Sequence, residues 1–189
     1  FGQVINRILL SSGIKTVVLD HQSTLVEGMR KFGIKTFFGD ASRPDLLHSA
    51  GLSQAKLLII AIDDHERAIE MVKFARRKRH DIHIIARAYD RHHVYELYAA
   101  SANDIIRETF DSAVRAGKYS LLAMGDTEKA SDRTVEVYVN HDRESLVKLA
   151  SVWEPGMDIA NNEEYKSLAK ENQQLLMDAI QALKESDKA

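Results

Sequence analysis

The sequence predicts an α/β fold: a doubly wound parallel sheet with its first strand truncated, followed by a C-terminal helical extension. Three observations predict it. Short aliphatic runs alternate with amphipathic helical stretches up to about residue 107, the pattern of successive βαβ units. Gly2 precedes one such stretch, and Asp20, 18 positions on (20 − 2), ends the strand after it. Beyond residue 107 the alternation stops and helical patterns take over.

Residues 3–12 carry Val4, Ile5, Ile8 and Leu9 on one helical face. "KTVVLD" (15–20) reads as a buried strand. Ser23 or Thr24 starts the next helix, with Glu27 placed for a capping box, and Gly33 stops it. "KTFF" (35–38) is a strand. Asp40 or Ser42 caps a short helix with Pro44 in its first turn, and Gly51 ends it. "KLLIIAI" (56–62) is the most continuous strand signal. The helix that follows has Asp63 and Asp64 as candidate caps and keeps Ile69, Val72 and Ala75 on one stripe. Residues 82–88 are a strand, 90–102 a helix, and 104–106 a last short strand. Right-handed crossovers between parallel strands put helices on both faces of the sheet.

Residues 108–125 read as one helix ending at Gly125, and "DTEKASD" (126–132) as a polar linker. In the next stretch Val135, Val137 and Val139 alternate like a strand, while Val139, Leu146, Leu149 and Trp153 follow helical turns; the reading adopted is helix. Residues 154–162 read as a loop. The tail to residue 186 is a helix with Tyr165, Leu168, Leu175, Leu176, Ala179 and Leu183 on a face that needs a partner surface. The expected division is a nucleotide-binding domain at 1–107, a single helix at 108–125 and a helical extension at 126–189.

Composition bounds the function. The 189 residues carry a net charge of −2, so no broad basic field supports nucleic-acid binding. Zero cysteines exclude disulfides, thiolate metal sites and a cysteine nucleophile. The longest apolar run, Leu57 to Ile62, is far short of the roughly 20 residues a spanning helix needs. The chain starts at Phe1 inside a structural motif, which reads as a fragment of a longer polypeptide.

The chemistry suggested by the residues is nucleotide binding on a Rossmann-like fold. A glycine turn lets backbone approach a phosphate, a helix N-terminus supplies N–H donors, and an acid at the next strand's end takes the ribose hydroxyls. Gly2 fits the last glycine, needed for close helix–strand packing, and Asp20 fits the acid. Asp40 follows a strand where adenine would lie, or caps a helix. Asp63 ends the middle strand beside the point where strand order reverses. No nucleophile stands between the carboxylates to mark an acid–base pair. His92 and His93, adjacent on a helix, diverge by about 100° and are poorly placed to chelate. Arg43 and Arg87 sit near strand C-termini, where anionic ligands gather.

These same stretches carry a resemblance. "FGQVINRILLSSG", "TVVLDH", "RKFGIKTFFGDASRPDLLHSAG", "LLIIAIDD", "IIARAYDRHH" and "RETFDSAVRAGK" resemble the cytoplasmic regulatory domain of Kef-type glutathione-gated potassium efflux systems, the KTN or RCK class. The likeness is dense over 1–125 and thinner beyond. It implies a homodimer, with the helix after "RETF" crossing toward the partner subunit. It implies a preceding membrane antiporter domain that exchanges potassium for protons, so that the regulatory domain works at the cytoplasmic face of the inner membrane and is itself soluble. It also implies the option of an ancillary activating subunit.

By resemblance, Gly2, Asp20, His21, Asp40, Ala41, Ile62, Asp63 and Arg87 match the nucleotide-cleft motifs for AMP or NAD(H). Arg43 matches a glutathione-binding arginine, and "VNHDR" places Asn140 and Arg143 in the corresponding C-terminal stretch. Glutathione would hold the transporter closed, and its adducts with electrophiles would open it, acidifying and protecting the cell. The Val-rich "TVEVYV" departs from the more basic pattern of the family. No catalytic residue and no metal ligand is expected. Two alternatives remain open on the residues alone: a nucleotide-gated regulator of another potassium system, without glutathione, and a fragment of an NAD-dependent dehydrogenase. The latter lacks a substrate domain with a marked acid or base.

Overall fold

The computed structural model describes residues 1–186. The chain divides into two compact units, Phe1–Glu108 and Thr109–Ala189; the last three residues of the second lie outside the described range.

The first unit alternates helix and strand throughout. Its elements are α1 (Gly2–Ser11), β1 (Val17–Asp20), α2 (Ser23–Lys31), β2 (Lys35–Phe38), α3 (Pro44–Ser49), β3 (Leu57–Ile60), α4 (His65–Lys78), β4 (His83–Ala88), α5 (Arg91–Ala99) and β5 (Asp104–Arg107). Every strand pairing is parallel. The strands are hydrogen-bonded as two groups, β1–β2 and β3–β4–β5, rather than as the single sheet the sequence suggests.

The core sits where α4 and α5 cover β4. Ala68, Val72, Ala75, Ile84, Ala86, Ala88 and Leu97 have no exposed surface. Strands buried on both faces read as continuous aliphatic runs, and "HIIARA" does so because β4 is the middle strand of its group. At about 25 cal/mol per Å² of apolar surface, this burial is the main favourable term for the unit.

Local signals decide most boundaries, with two corrections. The N-cap of α2 is Gln22, not Ser23 or Thr24, and its N–H is held by Asp20 Oδ1 at 2.8 Å. The N-cap of α3 is Arg43; Asp40 Oδ1 instead accepts from the Ser42 N–H (2.9 Å) and hydroxyl (2.7 Å), a turn motif ahead of the helix. Asp64 caps α4 by accepting from the Arg67 N–H at 3.0 Å, as one of the two candidates was expected to.

The second unit contains α6 (Phe110–Ala123), α7 (Glu128–Ser151), a 3₁₀ turn (Ile159–Asn161) and α8 (Glu163–Ser186). The supposed linker 126–132 is mostly the first turn of α7, because Thr127 Oγ1 caps it by accepting from the Ala130 N–H at 3.2 Å. The valine alternation at 135–139 loses to helix, and α8 packs against α7 as the surface its apolar face requires. Asn162 joins the two helices. Its Nδ2 donates to the Val152 carbonyl (2.8 Å) and its Oδ1 caps α8 through the Tyr165 N–H (2.9 Å).

Candidate functional site

Parallel strands all end on one edge, so the residues just past their C-termini collect there. On β1, Asp20 pairs in register with Phe38 of β2, and the Gly39 N–H donates to the Asp20 carbonyl at 2.9 Å. This bond sets the ends of β1 and β2 side by side. Gly39 has φ +146°, a backbone conformation that favours glycine, and a Cβ there would approach Leu46 Cδ2 to 3.0 Å, so that side chain would have to shift. Asp40 follows directly.

Asp20 uses one carboxylate oxygen on the Gln22 N–H, which fixes the group, while His21 Nδ1 stands 3.9 Å from it. Asp40 is held below the usual carboxylate range by the Ser42 hydroxyl and N–H, with Arg67 and Arg43 adding to the effect. Ala41 is half-buried in the turn between Asp40 and Ser42.

Gly2 opens α1 beside Ala61, just past β3. A methyl group there would meet Ala61 Cβ at 3.5 Å, an ordinary contact. Close helix–strand packing therefore does not itself demand glycine at position 2, contrary to the sequence expectation.

On the other side of the edge, Arg87 is the central group. It stands on β4 and is only 9% exposed. Its guanidinium binds Asp63, just past β3, and Glu108, just past β5, the latter at 3.0 Å. One arginine thus ties the ends of three neighbouring strands. Burying a guanidinium is costly unless it is paired, and two carboxylates meet that need. The Phe1 ring lies 5.8 Å from the guanidinium carbon, within cation–π range.

Beside Arg87 is a cavity of about 200 Å³ lined by Ile62, Asp63, His65, Arg87, Tyr89, His93 and Glu108. Sequence reasoning reached Ile62, Asp63 and Arg87; it missed His65, Tyr89 and Glu108, and read His93 only as poorly placed to chelate. It also missed Arg67, whose Nη1 reaches Asp40 Oδ2 at 2.8 Å. Their positions follow from where strands end, which no spacing rule reports.

The three residues matched to glutathione are all exposed. Arg43 is exposed and occupied by Asp45, with Nε–Oδ1 3.1 Å and Nη2–Oδ2 2.6 Å. Asn140 and Arg143 are exposed on α7, three positions apart and hence on one face. Among the described residues no cluster of three histidines or acids can hold a metal ion, and no helix is long and apolar enough to cross a membrane.

A parallel α/β unit of this kind, with its acids and a buried arginine gathered at the strand ends, is Rossmann-like in class. The chain belongs to the TrkA-N domain family, whose model matches residues 1–108. Residues 112–189 match the model for the potassium efflux system KefB C-terminal domain. In this order the two matches make up a Kef-type regulatory region. Over 125 residues the chain is 46% identical to the glutathione-regulated potassium-efflux system protein KefC of Cronobacter sakazakii (strain ATCC BAA-894). That alignment covers 66% of this chain and 20% of the relative, so the chain spans about a fifth of the curated relatives it matches.

Among solved structures, the chain is similar to the Shewanella denitrificans Kef C-terminal domain in its AMP-bound form, with TM-score 0.74 and 38% identity over 81% of this chain and 94% of that one. It is also similar to the TrkA-N domain of the inner membrane protein ybaL from Escherichia coli, with TM-score 0.58 and 30% identity over 66% and 89%.

Proposed function

We propose that the chain is the ligand-sensing part of a potassium efflux antiporter and binds an adenosine nucleotide, AMP or NAD(H), along the strand C-termini. Asp20 holds the ribose hydroxyls, with His21 beside it. Asp40 and Ala41 flank the base. Gly2 brings the N-terminus of α1 to the phosphate, and Ile62, Asp63 and Arg87 form the far wall. The observation that carries this reading is the fixed carboxylate of Asp20 at the end of β1, with one oxygen on the Gln22 N–H and the other left to a ligand. The AMP-bound state of the Shewanella relative supports the same ligand class.

In this reading glutathione is the regulatory ligand, contacted by Arg43, Asn140 and Arg143. Its two carboxylates suit arginines, and Arg43 would exchange Asp45 for one of them. A homodimer, a membrane antiporter domain in the same polypeptide, an ancillary subunit and a place at the cytoplasmic face of the membrane complete it. The nucleotide is a resident or modulatory ligand and not a substrate. A ligand shifts gating only by binding one state better than the other, and a bulky adduct on the thiol would disfavour the packing that glutathione tolerates.

Calorimetry with AMP, NADH, glutathione and a bulky glutathione adduct tests this. Nucleotide and thiol ligands should both bind, and Arg43→Ala should weaken only glutathione. Clean nucleotide binding with neither thiol ligand would leave a nucleotide-gated regulator. Absence of nucleotide binding would overturn the reading.

A further inference from the structure

The chain carries "GIKT" twice, at 13–16 and 33–36, and each copy turns a helix into a strand. Gly13 (φ +77°) follows α1 and Gly33 (φ +75°) follows α2. In both copies the isoleucine N–H donates to the carbonyl five residues back, Ile14 to Leu9 at 3.0 Å and Ile34 to Met29 at 3.2 Å. β1 and β2 pair in parallel with Val17 opposite Lys35, so the two turns lie side by side where these strands start. Asp20 and Asp40 stand at the other ends of the same strands.

Helix capping explains the glycines but not the side chains around them. Phe32 is 86% exposed and Ile14 50%, with Leu10 and Val17 also exposed. Residues 1–19 and 28–39 hold Arg7, Lys15, Arg30, Lys31 and Lys35 and no acid. Arg30 donates to the Thr36 hydroxyl (3.1 Å) and carbonyl (3.4 Å), and Lys35 Nζ lies 5.6 Å from the centre of the Phe37 ring. Among the described residues none of the five pairs with a carboxylate, and Glu27, one turn before Lys31, forms no ion pair either. The C-terminal end of α2 favours Arg30 and Lys31 in its last turn. Lys15 and Lys35 lie past the helix ends, where that effect fades, and no dipole calls for an exposed aromatic ring.

Unpaired cations around exposed apolar side chains match an anionic bilayer surface. Lysine stems lie along apolar surface while their ammonium groups reach phosphates, and aromatic rings favour the water–lipid boundary. An acidic protein surface would match the charge, but protein interfaces are poor in lysine. We propose that the two GIKT turns form a membrane-docking surface, on which Lys15, Lys31 and Lys35 engage anionic headgroups while Phe32 and Ile14 enter the headgroup–acyl boundary. The inference rests on the placement at a membrane face proposed above and leaves the opposite strand ends open to a nucleotide.

The test is cosedimentation of the 189-residue chain with vesicles of phosphatidylcholine alone and of phosphatidylcholine mixed with phosphatidylglycerol. The chain should bind only the anionic vesicles, and high salt should release most of it. Lys31→Gln combined with Lys35→Gln should weaken binding about twentyfold, roughly fivefold for each lysine. Phe32→Ser, at a position with little packing to lose, should weaken it about tenfold. The chain has no cysteine, so Phe32→Cys carries a polarity-sensitive dye at that position alone. Its emission should shift to the blue on anionic vesicles, and dye on Ser23→Cys, at the other end of α2, should not shift. A chain that binds AMP but no anionic vesicle would overturn the surface and leave the nucleotide reading intact. Binding with no shift at position 32, or undiminished in the lysine variant, would overturn it as well. Tighter binding to polyglutamate than to the vesicles would give the surface to a protein partner instead. A chain that docks on vesicles but binds no AMP would overturn the nucleotide reading alone.

Discussion

Arg67 Nη1 lies 2.8 Å from Asp40 Oδ2 and ties the first turn of α4 to the turn after β2. The same guanidinium approaches Asp64, the cap of its own helix, with Nε 3.4 Å from Oδ2. Both Arg67 and Asp40 are about half exposed. An ion pair of this kind adds little to stability, of order 0.2–1 kcal/mol, but it fixes which way the Asp40 carboxylate faces.

Arg67→Ala should therefore leave folding stability within about 0.5 kcal/mol of wild type while weakening an adenosine ligand by about 0.2–1 kcal/mol. Arg67→Lys should keep part of the effect. Paired urea melts and nucleotide titrations separate the two quantities. A large loss of stability would show that the pair supports the fold rather than orienting Asp40.

His93 gives a pH signature. Burial lowers its pKa below the ordinary 6.5, with His65 and Arg87 acting in the same direction and Asp90 and the His65 backbone opposing them. Below pH 6.5 the unfolded chain then takes up a proton that the native ring refuses. The stability contribution is complete above 6.5 and is lost as pH falls toward the native value, where the decline stops. His93→Gln should flatten that part of the stability–pH curve. An NMR titration midpoint for His93 at or above 6.5 would contradict the assignment.

Asn162 couples the end of α7 to the start of α8 through two bonds of 2.8 and 2.9 Å. Asn162→Ala removes a helix cap and leaves the Val152 carbonyl short of a partner. It should destabilise the second unit by about 1–3 kcal/mol, read by urea unfolding. Asn162→Asp should recover the cap to Tyr165 but not the bond to Val152.

Much of this fold is legible in the chain because its signals are local. The aliphatic runs at 57–60 and 83–88 mark strands, and Asp64 and Gly33 fall where a cap and a positive φ are needed. The valines at 135, 137 and 139 alternate like a strand, yet the helical reading adopted for that stretch holds, because alternation is a weak signal when a neighbouring helix offers a packing surface. In the candidate site, Asp20, Asp63 and Arg87 are recognisable because Asp20 ends a strand, Arg87 sits on one and Asp63 lies just past one. Glu108, Arg67 and the His65–Tyr89–His93 rings were not recognised as site residues, since contacts between residues 21 to 28 positions apart depend on how strands and helices are laid side by side. The contact between Arg67 and Asp40, 27 positions apart, is one of these.

The account turns on Asp20, whose carboxylate is fixed at the end of β1 by the Gln22 N–H. Titrating AMP into wild type and Asp20→Ala measures this directly. The account predicts clear binding to wild type and a loss of about 1–3 kcal/mol in the variant, the scale of a hydrogen bond to a charged group. Unchanged affinity in a folded Asp20→Ala protein would contradict it.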